Sequence, residues 1–248
     1  MANTHRVRLV VAYDGTNYHG WQTQANGITI ESELNRCLTD LFGEEIRVIG
    51  ASRTDSGVHA LGNIAIFDTT GRMPAEKVSY ALNQRLPEDI RIQCSEEVDP
   101  DWHPRHCASR KTYEYRIYRG QFPMPVKRLY SHFTYHELDV EAMQKAASFL
   151  VGEHDFKSFC SNPKMKKSTV RKVDRIDIVK KGAYVTFTYH GTGFLQYMVR
   201  ILTGTLLEVG FSKKEPESMK ELLEARDRTK AGATAPACGL TMIKVDYD

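Results

Sequence analysis

The chain has 248 residues, 41% of them hydrophobic and 26% charged, a globular composition with enough apolar material for a sizeable core. No stretch approaches 18 consecutive apolar residues, and the N-terminal MANTHRVRLVVAYDG lacks the apolar run of a signal peptide, so a membrane partner is excluded and a cytoplasmic protein expected. The net charge of +3 singles out no partner, and five dispersed cysteines (Cys37, Cys94, Cys107, Cys160, Cys238) read as reduced thiols.

Taken in chain order, Val7 to Tyr13 has strand character and stops at the Asp14-Gly15 turn signal. Ile30 to Phe42 is a predicted helix, with Ile30, Leu34, Cys37, Leu38 and Leu41 at helical spacing and Gly43 ending it. Ile46 to Gly50 is a strand, ASRTDSGVHA (51–60) a loop, Asn63 to Phe67 a strand, Pro74 to Gln84 a helix and Ile90 to Val98 a strand. The order is β-α-β-β-α-β.

The second half repeats it. Ser109 to Tyr118 is a strand, Val140 to Val151 a helix, and Val170 to Val179 and Tyr184 to Tyr189 are strands joined at Lys181-Gly182. Phe194 to Val209 is a helix, and Leu240 to Val245 a closing strand after an extra helix near Glu215 to Arg226. The expected fold is therefore α+β, two tandem β-α-β-β-α-β halves of ferredoxin-like or RNA-recognition-like type. The linker DPDWHPRHC divides residues 1–102, which carry the 51–60 loop, from residues 103–248, which carry the tyrosine strand and the last long helix.

Charge is unevenly spread. His103 to Arg128 holds seven Lys or Arg against one Glu, and Lys157 to Lys181 nine against two Asp. Two basic segments, the first interleaved with Tyr113, Tyr115 and Tyr118, suit a nucleic-acid partner better than two unrelated solvated surfaces.

Within the loop, Asp55 lies between Thr54 and Ser56, two residues from Arg53 and two before Gly57. A carboxylate kept ionised by a cation suits nucleophilic attack, though Asp-Ser-Gly is also an ordinary turn. Arg200 falls inside the apolar helix GFLQYMVRILTGTLLEVG and needs either a carboxylate partner or a route to solvent. KTYEYRIY (111–118) can present tyrosines for base stacking or pack them in a core. HPRHC (103–107) lacks the paired spacing of a zinc site, so no metal is expected.

These residues also carry a family resemblance. RTDSGVHA (53–60) resembles the RTDAGVHA signature of the TruA-type tRNA pseudouridine synthases, and the likeness continues through YDGTNYHGWQ, KTYEYRIY, HDFKSFC, GFLQYMVRILTGTLLEVG and PACGL in the family's order. Ser52 and Ser56 stand where the family often has Gly and Ala. The resemblance implies two ferredoxin-like halves related by a pseudo-twofold with a cleft between them. It implies conversion of uridine to pseudouridine at positions 38, 39 and 40 of the tRNA anticodon stem-loop by base flipping, by a homodimer without metal or organic cofactor. By motif, Asp55 is the nucleophile, Arg200 its partner, Tyr113 the ring that stacks on the target uracil, and Arg53 the group that holds the space or phosphate left by the flipped base. Attack on the sugar, attack on the base and proton abstraction are all open to Asp55. The competing reading is a non-catalytic RNA-binding protein of paired RNA-recognition-like halves.

Overall fold

Val7, Leu9, Val11 and Tyr13 alternate with half-exposed residues, and this period of two makes His5–Tyr13 the first strand, β1, with all four side chains buried. The computed structural model describes residues 4–247. They form two compact units, one being the chain up to Ser109 with the stretch from Met242 onward, the other Arg110–Thr241.

In the first unit, helix α1 (Ile30–Phe42) starts where Thr29 and Ser32 cap it reciprocally. Ser32 N–H donates to Thr29 Oγ1 at 3.1 Å, and Thr29 N–H to Ser32 Oγ at 3.0 Å. Its buried stripe is Ile30, Leu34, Cys37 and Leu38. Then come β2 (Ile49–Gly50), β3 (His59–Thr69), α2 (Ala75–Asn83) and β4 (Ile90–Val98). The strands run antiparallel in the order β4-β1-β3, with β2 added to β3 through Ile49 opposite Ile66. That is the expected β-α-β-β-α-β run in split β-α-β order. The second strand is shorter than Ile46 to Gly50 because side chains on α1 take its amides. Ile46 N–H donates to Thr39 Oγ1 at 3.1 Å and Val48 N–H to Asn35 Oδ1 at 2.8 Å.

The second unit begins within β5 (Ala108–Arg119), along which β6 (His132–Thr134) runs parallel. Asp139 caps α3 (Val140–Ser148), its carboxylate accepting Ala142 N–H at 2.9 Å. There follow β7 (Gly152–Asp155), β8 (Val170–Lys181), β9 (Tyr184–Gly191), α4 (Met198–Gly210), α5 (Ser218–Ala225) and β10 (Leu240–Tyr247). The sheet order is β5-β9-β8-β7, all antiparallel, with Tyr115 opposite Phe187 and Phe187 opposite Ile178. Tyr115, Phe187 and Tyr189 from the sheet and Met143, Leu202 and Leu206 from the helices are fully buried and form the core.

The class is α+β, as expected. Several details differ from the sequence reading. β6 and β7 are too short to show a period. α3 ends at Ser148 rather than Val151, and α4 starts at Met198 rather than Phe194. Residues 103–109 and those from Met242 belong with the first unit, where β10 runs beside β3, so the chain passes between units at 109/110 and again at 241/242. Among the described residues no helix is long and apolar enough to cross a membrane.

Candidate active site

Two sequence motifs far apart in number are laced together in the first unit. Trp21 N–H donates to the Thr54 carbonyl at 3.1 Å, and Gly57 N–H and the Ser56 hydroxyl donate to the Tyr18 carbonyl at 3.3 and 3.1 Å. The Thr54 hydroxyl shares a 2.7 Å hydrogen bond with the Tyr13 phenol. Val58 N–H closes the turn on the Asp55 carbonyl at 3.1 Å. Each such bond contributes about 1 kcal/mol, so the loop has one well-determined backbone path. Asp55 sits half-exposed at this turn, while Thr54 and Val58 on either side are buried.

The close approach also explains Gly15. A Cβ there would lie 2.0 Å from the Val58 carbonyl oxygen, so no other residue fits. Next to it, the buried His59 takes the Gly15 N–H on Nδ1 at 3.1 Å, with Asp14 Oδ1 3.0 Å away. The resemblance spans both segments, but only the structure shows that YDGTNYHGW is the frame of the aspartate loop. Ser52 Oγ is buried with no hydrogen-bond partner among the described residues, so its hydroxyl adds nothing that Gly or Ala would lack.

Arg53 is exposed in the same loop. Its charge acts on Arg105, whose guanidinium is held below its usual range first by burial and second by Arg53.

Tyr113 and Arg200 belong to the second unit. Tyr113, on β5, is buried, and its ring meets Phe194 edge-on at 5.3 Å. The three-tyrosine platform open to KTYEYRIY does not form. Tyr115 lies wholly in the core with its hydroxyl donating to the Pro236 carbonyl at 2.9 Å, and Tyr118 carries the Lys127 ammonium 3.9 Å from its ring centre. Burial pushes the Tyr115 phenol far above its usual value, so it stays protonated.

Arg200 is half-buried on the first turn of α4. Its Nε donates to the Ala235 carbonyl at 2.7 Å, Ala235 N–H returns a bond to the Arg200 carbonyl at 3.1 Å, and the guanidinium carbon lies 4.9 Å from the Tyr197 ring centre. Tyr197 holds left-handed backbone angles (φ 59°, ψ 6°) at the start of the helix. The 231–236 stretch that fixes Arg200 is itself fixed, by Gly232 N–H to Thr205 Oγ1 at 3.0 Å and by Tyr115 to Pro236. Tyr197 and Ala235 were not singled out from sequence. Their part in the site comes from contacts between segments more than thirty residues apart, or from a backbone angle unusual for tyrosine.

The first unit provides a half-exposed carboxylate on a braced turn with a cation two residues away in the chain, and the second unit, by itself, a buried tyrosine ring and a braced arginine. A family model described as tRNA pseudouridine synthase matches residues 9–106 and 146–248. The chain is 46% identical over 241 residues to a protein of Acetivibrio thermocellus named tRNA pseudouridine synthase A, covering 97% of this chain and 99% of that protein. Proteins of the same name from Thermoanaerobacter sp. (strain X514) and Brevibacillus brevis are each 45% identical, covering 97% and 98% of this chain and 99% of each relative. The likeness takes in both units at nearly full length, as the motifs led one to expect, and the chain is an enzyme, an isomerase, that belongs to the tRNA pseudouridine synthase family.

Proposed function

We propose that this protein converts uridine to pseudouridine at positions 38, 39 and 40 of the tRNA anticodon stem-loop, with Asp55 as nucleophile. The supporting observation is the braced turn, which presents a half-exposed aspartate on a backbone tied to Tyr13, Tyr18 and Trp21. The reaction breaks the bond from ribose carbon 1′ to uracil N1 and forms one from carbon 1′ to uracil carbon 5. The proton on carbon 5 leaves, and N1 gains one. A base held in the stack has no room to detach and rotate about the broken bond, so the nucleotide leaves the stack, at a cost of about a few kcal/mol.

Each remaining residue has a role in this reading. Arg200 is the cation that keeps the Asp55 carboxylate ionised as water is excluded. Tyr113 stacks on the uracil and retains it while it rotates about the broken bond. Arg53 occupies the space, or holds the phosphate, left by the flipped nucleotide. The basic segments 103–128 and 157–181 follow the tRNA backbone. Lys164, Lys166 and Lys167 are exposed in the second segment, as that role requires. From the family resemblance we propose a cytoplasmic homodimer of the 28.2 kDa chain that needs no metal or cofactor. Sedimentation would detect a monomer, and loss of activity in EDTA would refute metal independence.

The deciding experiment uses an unmodified tRNA tritiated at uracil carbon 5. Wild type is expected to release tritium, and Asp55→Ala to be slower by at least about 10³-fold, as for removal of a covalent catalyst. Product mapping should place the modification at positions 38 to 40. Release by both proteins at similar rates would remove Asp55 from the nucleophile's role.

A further inference from the structure

Between α2 and β4 the chain turns through Leu86, Pro87, Glu88 and Asp89. Ile90 N–H closes that turn on the Pro87 carbonyl at 3.0 Å, and Arg91 Nη1 donates to the Pro87 and Ile90 carbonyls at 2.6 and 2.7 Å. The half-buried Asp89 is thereby fixed beside the end of β1, where Tyr13 pairs with Ile90.

From there Asp89 grips the segment after β1 at two points. Its carbonyl accepts the Asp14 N–H at 2.9 Å, and its carboxylate accepts the Tyr18 hydroxyl at 2.5 Å. Tyr18 is buried, and its phenol is pushed far above its usual value first by burial and then by the bond to Asp89, so it stays a donor. Among the described residues that hydroxyl is the only side-chain donor to the Asp89 carboxylate. A buried phenol needs an acceptor and a half-buried carboxylate a donor, so each holds the other.

The backbone of the same tyrosine meets the aspartate loop. Its carbonyl accepts the Ser56 hydroxyl at 3.1 Å and the Gly57 N–H at 3.3 Å, from the two residues that follow Asp55. A tyrosine side chain has few staggered arrangements, so holding its phenol restricts where its carbonyl can lie.

We infer that Asp89 is a positioning residue for Asp55, acting through Tyr18 as a hydrogen-bond acceptor and touching no substrate. The inference rests on the reading of Asp55 as nucleophile. A reacting group displaced by about 1 Å can lose about 10²-fold in rate, so slack in this relay appears in the chemical step and not in binding.

The test compares wild type with Asp89→Ala, Asp89→Asn, Tyr18→Phe and the double variant Tyr18→Phe/Asp89→Ala. It measures Kd for an unmodified tRNA transcript and the single-turnover rate of tritium release at saturating enzyme, with urea midpoints to confirm folding. Asp89→Ala and Tyr18→Phe are each expected to slow the saturated rate by about 10²-fold with Kd unchanged. The double variant should be no slower than the slower single variant, because both break one relay. Asp89→Asn keeps an acceptor oxygen and should recover most of the rate. Tyr18→Phe, which leaves the backbone bonds of Asp89 in place, carries the test if Asp89→Ala does not fold. An unchanged rate in folded Tyr18→Phe overturns the inference, as do additive losses, a loss in Kd alone, or an Asp89→Asn as slow as Asp89→Ala. If wild type releases no tritium, or Asp55→Ala matches it, the nucleophile reading fails instead. Amide exchange at Gly57 then decides the relay: exchange about five-fold faster in Tyr18→Phe supports it, and unchanged exchange refutes it.

Discussion

Tyr197 shows how one residue's backbone can shape a site. An L-residue in the left-handed region sits about 1–2 kcal/mol above its relaxed conformation. Here that bend ends the loop after Gly193, starts α4 at Met198, and places the Tyr197 ring against the Arg200 guanidinium. Tyr197→Gly is expected to be more stable than Tyr197→Ala by about 0.5–1 kcal/mol, the relief of strain less the extra entropy that Gly loses on folding. Denaturant midpoints of the pair would measure the difference, and equal values would show no strain at this position. Both variants lose the ring beside Arg200, so both should slow tritium release. Left-handed angles are expected of Gly or Asn, which is why this bend was not legible in GFLQYMVR, although Asp55 and Arg200 were.

Among the elements, the packing of α4 on the 231–236 stretch matters most. A Cβ on Gly204 would lie 1.8 Å from the Ala233 carbonyl oxygen, so the helix and this irregular stretch touch backbone to backbone. In an open helix Gly→Ala adds about 1 kcal/mol of stability, whereas Gly204→Ala should remove about 2 kcal/mol because the backbone must part. The sign of the change in unfolding free energy tests this. Activity should fall too, since the Ala235 carbonyl that holds Arg200 lies in the displaced stretch. Periodicity located α1 to the residue because the apolar stripe and the terminal Gly43 agree. It overran α3, where Phe149 and Leu150 continue the apolar pattern but bond only to the Ala146 and Ala147 carbonyls before Gly152 turns the chain with φ +115°.

For the molecule as a whole, a pH dependence follows from two half-buried imidazoles. Burial lowers the pKa of His132, on β6, and His103 is lowered likewise. The unfolded chain, with imidazoles near about 6.5, then binds more protons than the folded one just below that pH. Stability should therefore be complete above about pH 7, decline as pH falls through about 6.5, and level off below the folded values. Urea unfolding at about pH 7.5 and 5.5 would show the decline, and His132→Asn should reduce it. An unchanged slope in that variant would mean that other groups carry the effect.

What the sequence by itself determined was the α+β class, the elements of the first unit and the family, because period, caps and motifs are local and survive without knowledge of partners. It also supplied Asp55, Arg53, Tyr113 and Arg200 as candidates, by residue type and motif. Only the tertiary structure decided that Tyr115 is core and not a platform, that residues 103–109 and the chain from Met242 join the first unit, and that Arg105 reaches Gly50. Each of those depends on which distant backbone fills the space beside a side chain: Pro236 beside Tyr115, Tyr247 beside Pro104, Gly50 beside Arg105. Such pairings leave no period in the sequence, since they are set by where the chain returns after dozens of residues.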